Sequence, residues 1–316
     1  VGEVTHNSLV WFSPFGWARY AQAFAANLFW VPLLPVAMAG LLAWLALSLA
    51  QVRDLGTGLI PSRPGKSISP AWLRNPLTLA WRLGRGSLLG WCVGLGLLGV
   101  LMGSTMSNLD AQLDSPTFRD FALRHGSGSV GEVFFLFVLY VLAQIATAAV
   151  LAAVLRLRTD ETDRLAEPLL AQPVTRTNWA ASQLAIAATT GIGILTAVAA
   201  GSAITSGKPT LALLTLAYLP AILLLVGIAM LLIGWAPRAA TAVSWTLLGL
   251  LLLADLLGEF AIIPPALIAG ISPYAATFSA MVGSGLPQVA VALTVAALTL
   301  AALGIAGLRR RDLKLG

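Results

Sequence analysis

Apolar runs follow one another along most of the chain, separated by short polar breaks. Seven are long enough to cross a bilayer as helices, near 29–52, 86–107, 132–155, 180–204, 211–235, 240–262 and 286–308. A hydrocarbon core about 30 Å thick needs about 20 apolar residues per helix. The runs lack the alternation of barrel strands, and a helix satisfies its own backbone in lipid. The pattern predicts an all-α integral membrane protein, a polytopic helical bundle of about seven transmembrane helices. Pro32, Pro35 and Pro220 fall inside predicted spans and are expected to kink them. In the second span Gly86, Gly90, Gly94, Gly99 and Gly103 recur near every fourth residue. That spacing is expected to put small residues on one face, where another helix can approach closely.

The polar breaks predict three further elements. The stretch 156–183 is a charged island with four basic and four acidic residues. Thr159 or Asp160 can cap a short helix there, with acidic side chains in its first turn. Leu165, Leu169 and Leu170 form an apolar face, Pro168 bends the segment and Pro173 ends it. Such a helix suits docking into a partner's groove. Residues 70–85 predict an interfacial helix, with Trp72 and Trp81 at the lipid boundary and Arg74, Arg82 and Arg85 toward phosphates. Residues 263–285 are too apolar for a free loop and are broken at Pro264, Pro265, Pro273 and Gly283. Two short helices dipping back into the membrane, a re-entrant segment, fit them. The aromatic-rich residues 1–28, broken at Pro14, are expected to be interfacial or re-entrant.

Composition supports the membrane assignment. The 316 residues are 58% hydrophobic and 10% charged, against about 25% charged in soluble domains. The net charge of +6 does not point to nucleic acid. Fifteen of the 19 basic residues fall in 53–85, 156–179, 236–239 and 309–316, which seven spans place on one side. Arg19, Arg119, Arg124 and Lys208 fall on the other. By the positive-inside rule the first set is cytoplasmic, so the N-terminus lies outside and the C-terminus inside.

Candidate chemistry is sparse. Gly65-Lys66-Ser67 resembles the end of a phosphate-binding loop, but Ile60 stands where that motif needs Gly, and Pro61, Pro64 and Pro70 surround it. No cofactor or metal site is expected from His6, His125 and Cys92, and no enzyme activity. Asp255 and Glu259 are the exception. Four apart, they share one helix face in the sixth span, and an ionisable residue in a span is a functional candidate. They are expected either to line a hydrated substrate path, or to sit with Asp255 hydrogen-bonded to the re-entrant segment and Glu259 at the interface.

A short internal repeat organises the chain. Ser13-Pro-Phe15, an apolar span and Arg53-Asp-Leu55 return as Ser272-Pro-Tyr274, an apolar span and Arg311-Asp-Leu313, at offsets of 259 and 258 residues. A period this long suggests a duplicated domain. Residues 1–55 are then expected to be the re-entrant segment and last span of a first six-span half, 56–69 a cytoplasmic linker, and 70–316 a second six-span half. The remainder of the first half, about 200 residues on this period, is expected upstream or as another chain.

The island Asp163-Arg-Leu-Ala-Glu-Pro-Leu-Leu-Ala-Gln-Pro-Val-Thr-Arg-Thr-Asn-Trp179 resembles the cytoplasmic loop of type-2 ABC exporter permeases. Ser13-Pro-Phe-Gly-Trp17, the stretch from Asn75 to Trp91 and the closing Arg309-Arg-Arg-Asp-Leu313 are similar to the duplicated actinobacterial subgroup, described as exporting polyketide antibiotics, tetracycline-type drugs and other lipophilic compounds. The resemblance implies a membrane subunit in the bacterial cell membrane, driven by separate ABC ATPase subunits, two in number. Those subunits would bind ATP and Mg. It implies an ATPase-coupling helix at Asp163, Arg164, Leu165, Glu167, Leu169, Leu170, Pro173 and Arg176. It implies an elbow helix at Trp72, Arg74, Trp81, Arg82 and Arg85. The alternatives are an ATP-independent secondary transporter or a non-transporting scaffold subunit.

Overall fold

The structure, a computed structural model, describes residues 30–52, 75–112, 130–163, 173–259, 262–283 and 285–311, with Trp17, Leu165, Glu167 and Ala171 besides. The expectations for the rest of 1–28, for the linker 56–69 and for Trp72, Arg74, His125, Arg164, Leu169 and Leu170 lie outside the described residues, as does the tail beyond Arg311. The chain divides into two compact units, Val1–Ile68 and Ser69–Gly316.

In the first unit, α1 runs Leu33–Val52. A turn leads into it, with the Leu33 N–H on the Trp30 carbonyl at 3.1 Å and the Leu34 N–H on Val31 at 3.0 Å. Pro35 therefore lies in the first turn, where a missing N–H removes no intrahelical bond. The expected kinks at Pro32 and Pro35 are replaced by a helix that starts later.

The second unit holds α2 (Pro76–Gln112), α3 (Val130–Thr162), α4 (Arg176–Ser206), α5 (Pro209–Leu213), a 3-10 turn (Leu214–Tyr218), α6 (Leu219–Trp235), α7 (Pro237–Glu259), α8 (Pro265–Ile271), α9 (Pro273–Val282) and α10 (Leu286–Arg310). There are no strands among the described residues. Counting α1, and taking α5 through α6 as one segment, seven segments among the described residues are long and apolar enough to cross a membrane. The chain is an all-α polytopic membrane protein.

Two elements differ from expectation for local reasons. Asn75 accepts the Leu77 N–H through its side-chain oxygen at 3.0 Å, and Pro76 takes the first helical position. That pair starts a helix, and nothing between 76 and the span stops it. Residues 76–85, including Trp81, Arg82 and Arg85, are the first turns of α2 instead of a separate interfacial helix. In the fifth span, Pro220 cannot donate to residue 216 and its ring crowds that carbonyl. The chain tightens into the 3-10 turn just ahead of it.

The central helix is α3, which packs against α2, α4, α6, α7 and α9. Around it the spans pair in parallel, α2 with α4 and α6 with α10. A Cβ at Gly99 would lie 2.7 Å from the Val198 carbonyl oxygen, and one at Gly227 would lie 2.6 Å from that of Ala297. Gly103 follows beside Ser202 and Thr205, and Gly234 beside Gly304, so both pairs advance in the same direction. Gly86, Gly90 and Gly94 meet nothing within 4 Å of an added Cβ. The spacing jumps to five residues between Gly94 and Gly99, about 140° off the stripe. The contact face of α2 is therefore Gly96, Gly99 and Gly103.

Candidate functional site

The 33 residues of α3 rise about 1.5 Å each, about 50 Å in all, against a hydrocarbon core of about 30 Å. Its last turns therefore carry Arg156, Arg158, Asp160 and Glu161 beyond the apolar run. Arg156 Nε lies 3.8 Å from Asp160 Oδ1, one turn on. Glu161 is buried and faces two guanidinium groups. Arg311 Nη2 reaches both its oxygens, at 2.7 and 2.8 Å, and Arg158 Nη1 lies 3.1 Å from Oε2. Arg311 is the C-cap of α10. Its own carbonyl accepts from Arg176 Nη1 at 2.6 Å, and Arg176 is the first residue of α4. The two helices that bound the island thus meet on one residue at the end of the last span, through charge-assisted bonds.

Within the island, the Asp163 N–H bonds the Thr159 carbonyl at 2.9 Å. Thr159 and Asp160 therefore continue α3 and do not cap a new helix. Asp163, Leu165 and Pro173 are exposed. Glu167 is half-buried, in a helical turn closed by the Ala171 N–H on its carbonyl at 2.9 Å. Thr175 caps α4, accepting the Asn178 N–H at 3.2 Å. Arg176, expected to face a partner, directs one N–H inward to Arg311. Trp81, Arg82 and Arg85 are exposed at the start of α2.

A second polar cluster lies farther along α3. Asp255, buried on α7, accepts on Oδ2 from Gln144 Nε2 of α3 and from Ser272 Oγ at 2.9 Å. Ser272 stands between α8 and α9. Pro273 after it disfavours helical backbone at Ser272, which is extended and caps α9. The next residue but one, Tyr274, pairs its hydroxyl with Thr147 Oγ1 at 2.6 Å. The Thr147 proton goes to the Ala143 carbonyl at 2.9 Å, so Tyr274 is the donor. The rings of Tyr140, Tyr218 and Phe278 pack edge to face beside this cluster, Tyr140 at 6.1 Å from Tyr218 and 5.9 Å from Phe278. Asp255 Oδ1 and the Tyr218 hydroxyl are buried with no hydrogen-bond partner among the described residues. Of the two expectations for Asp255, the hydrogen bond to the re-entrant pair is present. Glu259 ends α7 one turn on.

Neither Glu161 and Arg311 nor Gln144, Thr147 and Ser272 stood out as functional residues. The traces were there: Ser272-Pro-Tyr274 and Arg311-Asp-Leu313 are the two repeated tripeptides, and Gln144 is a side-chain amide inside an apolar run.

Six spans assembled around α3, two short helices folded back between α7 and α10, and a charged crossing at one end define a polytopic α-helical permease domain. Residues 73–309 match the family described as multidrug efflux system permease Rv1217c, C-terminal domain, and the chain belongs to that family. It is 38% identical over 286 residues to the multidrug efflux system permease protein Rv1217c of Mycobacterium tuberculosis, an alignment covering 87% of this chain and 52% of that protein. The chain thus spans about half the length of that curated relative.

Proposed function

We propose that this chain is the C-terminal part of the membrane subunit of an ATP-binding-cassette exporter that moves lipophilic, drug-like compounds out of a bacterial cell. The observation that carries the proposal is the 38% identity to a multidrug efflux permease, in an alignment spanning 87% of this chain. The exposed Asp163 and Leu165 and the helical turn at Glu167 supply a surface for a soluble ATPase, which would bind ATP and Mg. Two such ATPases and a first permease half complete the proposed assembly. The island, the start of α2 and the end of α10 face the cytoplasm in this arrangement, as the distribution of basic residues favours.

The test is purification of the permease from its own membrane in mild detergent, with drug export followed in parallel. An ABC ATPase is expected to co-purify, and Glu167→Arg is expected to release it. Export that persists when ATP is depleted and an ion gradient is held would instead favour a secondary transporter. Co-purification of the Glu167→Arg variant at wild-type yield would remove the island from the ATPase contact.

A further inference from the structure

We propose that Arg311 is a positioning residue for transport. It ties both ends of the island to the last span, so that a displacement of the island is passed to α10 and from there to α6. The proposal rests on the exporter reading above.

The geometry is specific. Arg311 Nη2 alone bridges both oxygens of Glu161, at 2.7 and 2.8 Å, a charge-assisted contact to a buried carboxylate. Arg176, on the far side of the island, donates to the Arg311 backbone carbonyl at 2.6 Å. The loop between α3 and α4 therefore cannot shift at either end without moving the cap of α10. Beyond that cap, α10 lies on α6 with backbone against backbone. Gly227 meets Ala297, Gly234 meets Gly304, and Trp235 Nε1 donates to the Leu303 carbonyl at 3.0 Å. Contacts made without intervening side chains have little slack, so α6 and α10 move as one body. The sequence repeats the tripeptide, because Arg53-Asp-Leu55 closes the first predicted span as Arg311-Asp-Leu313 closes the last. A basic stop would require only charge, and Arg309 and Arg310, both exposed, already provide it.

The experiment compares Arg311→Gln, Glu161→Gln and the double variant with Arg310→Gln in the complete transporter. ATPase co-purification, ATP hydrolysis and drug export are measured on each. Arg311→Gln and Glu161→Gln are each expected to lower drug moved per ATP hydrolysed about tenfold, with the ATPase bound at wild-type yield. The double variant is expected to be no worse than the worse single one, as for two ends of one contact. Arg310→Gln is expected to match wild type. If Arg311→Gln does not reach the membrane, Arg311→Lys is read instead, and an intermediate loss is expected because Lys keeps the charge but presents it as a compact ammonium, without the planar group that reaches Glu161. Wild-type export per ATP in Arg311→Gln, or in Arg311→Lys where that variant is read, overturns the proposal. So does equal loss in Arg310→Gln, which would make the effect one of charge. Loss of the ATPase from Arg311→Gln also overturns it, making Arg311 part of a docking surface. A wild-type permease that carries no ATPase overturns the exporter reading itself, and that result is visible without any variant.

Discussion

Ser272 donates its hydroxyl proton to Asp255 Oδ2 at 2.9 Å, and Ser272 Oγ in turn accepts the Ala275 N–H at 3.3 Å. One serine thus caps α9 and fastens the break between α8 and α9 to α7. Gln144, on the same Asp255 oxygen, brings in α3. Gln144 and Glu161 lie on one helix, about 25 Å apart at 1.5 Å per residue. The carboxylate that holds the folded-back pair and the carboxylate that holds Arg311 are therefore joined by a single rod.

Replacing Asp255 separates its structural role from any transport role. Asp255→Leu removes the acceptor shared by Gln144 and Ser272 and leaves two buried donors unmet. The expected cost is about 1–3 kcal/mol, seen as a lower midpoint of thermal unfolding in detergent. Asp255→Asn keeps an acceptor oxygen and is expected to accumulate normally, while export changes and ATP hydrolysis by the proposed ATPase stays coupled. Unchanged export by Asp255→Asn at matched protein level would take Asp255 out of the substrate path.

The Tyr274–Thr147 bond predicts an asymmetry between its two ends. Tyr274→Phe leaves Thr147 still donating to the Ala143 carbonyl, so its expected cost is about 1 kcal/mol or less. Thr147→Val leaves the buried Tyr274 hydroxyl without its acceptor and is expected to cost about 1–3 kcal/mol. With both changes made, no donor is stranded, and the double variant is expected to be more stable than Thr147→Val. Unfolding midpoints of the three proteins check the order. Equal costs for the two single variants would contradict the donor assignment.

Much of this architecture was legible because lipid leaves the chain few choices. Apolar length identified the spans, and Pro264, Pro265 and Pro273 marked the two short helices α8 and α9. Helix starts were harder, because they depend on one or two polar contacts. Asn75 with Pro76 launched α2 ten residues before the predicted second span, and α3 ran past Thr159 because nothing there stops it. The glycine stripe was misplaced for a geometric reason, since a five-residue step between Gly94 and Gly99 leaves the face that the four-residue steps define. The polar clusters were hidden because their members are far apart in sequence: Glu161 with Arg311, and Gln144 with Asp255. Only the repeated tripeptides hinted at them, and a repeat says that two places are alike without saying what they touch.

The ion pair between Lys208 and Glu132, at 2.6 Å, offers a contrast with Glu161. Its side chains are 42% and 33% exposed, so water screens the pair. Lys208→Gln is expected to lower stability by less than about 1 kcal/mol, and the difference should shrink in high salt. Unfolding midpoints at low and high ionic strength check this. A large, salt-independent loss would show that the pair is more enclosed than its exposure indicates.

The glycines of α2 give the sharpest test of the packing. At Gly99 an added Cβ would stand 2.7 Å from the Val198 carbonyl oxygen, 3.2 Å from its Cα and 3.3 Å from the Ser202 nitrogen. All three are backbone atoms of a helix and cannot swing aside, so α2 and α4 must separate. Gly99→Ala is expected to cost about 1–3 kcal/mol, as overpacking does elsewhere. Gly90 lies on the same helix with nothing within 4 Å of an added Cβ. Gly90→Ala exchanges a poor helix former for a good one and is expected to be neutral or slightly stabilising. Both variants add one methyl group to one helix, so membrane insertion and hydropathy change equally in the two. Thermal unfolding of the purified proteins should therefore report the α2–α4 contact. If the two variants behave alike, the parallel pairing of these helices through Gly96, Gly99 and Gly103 is wrong.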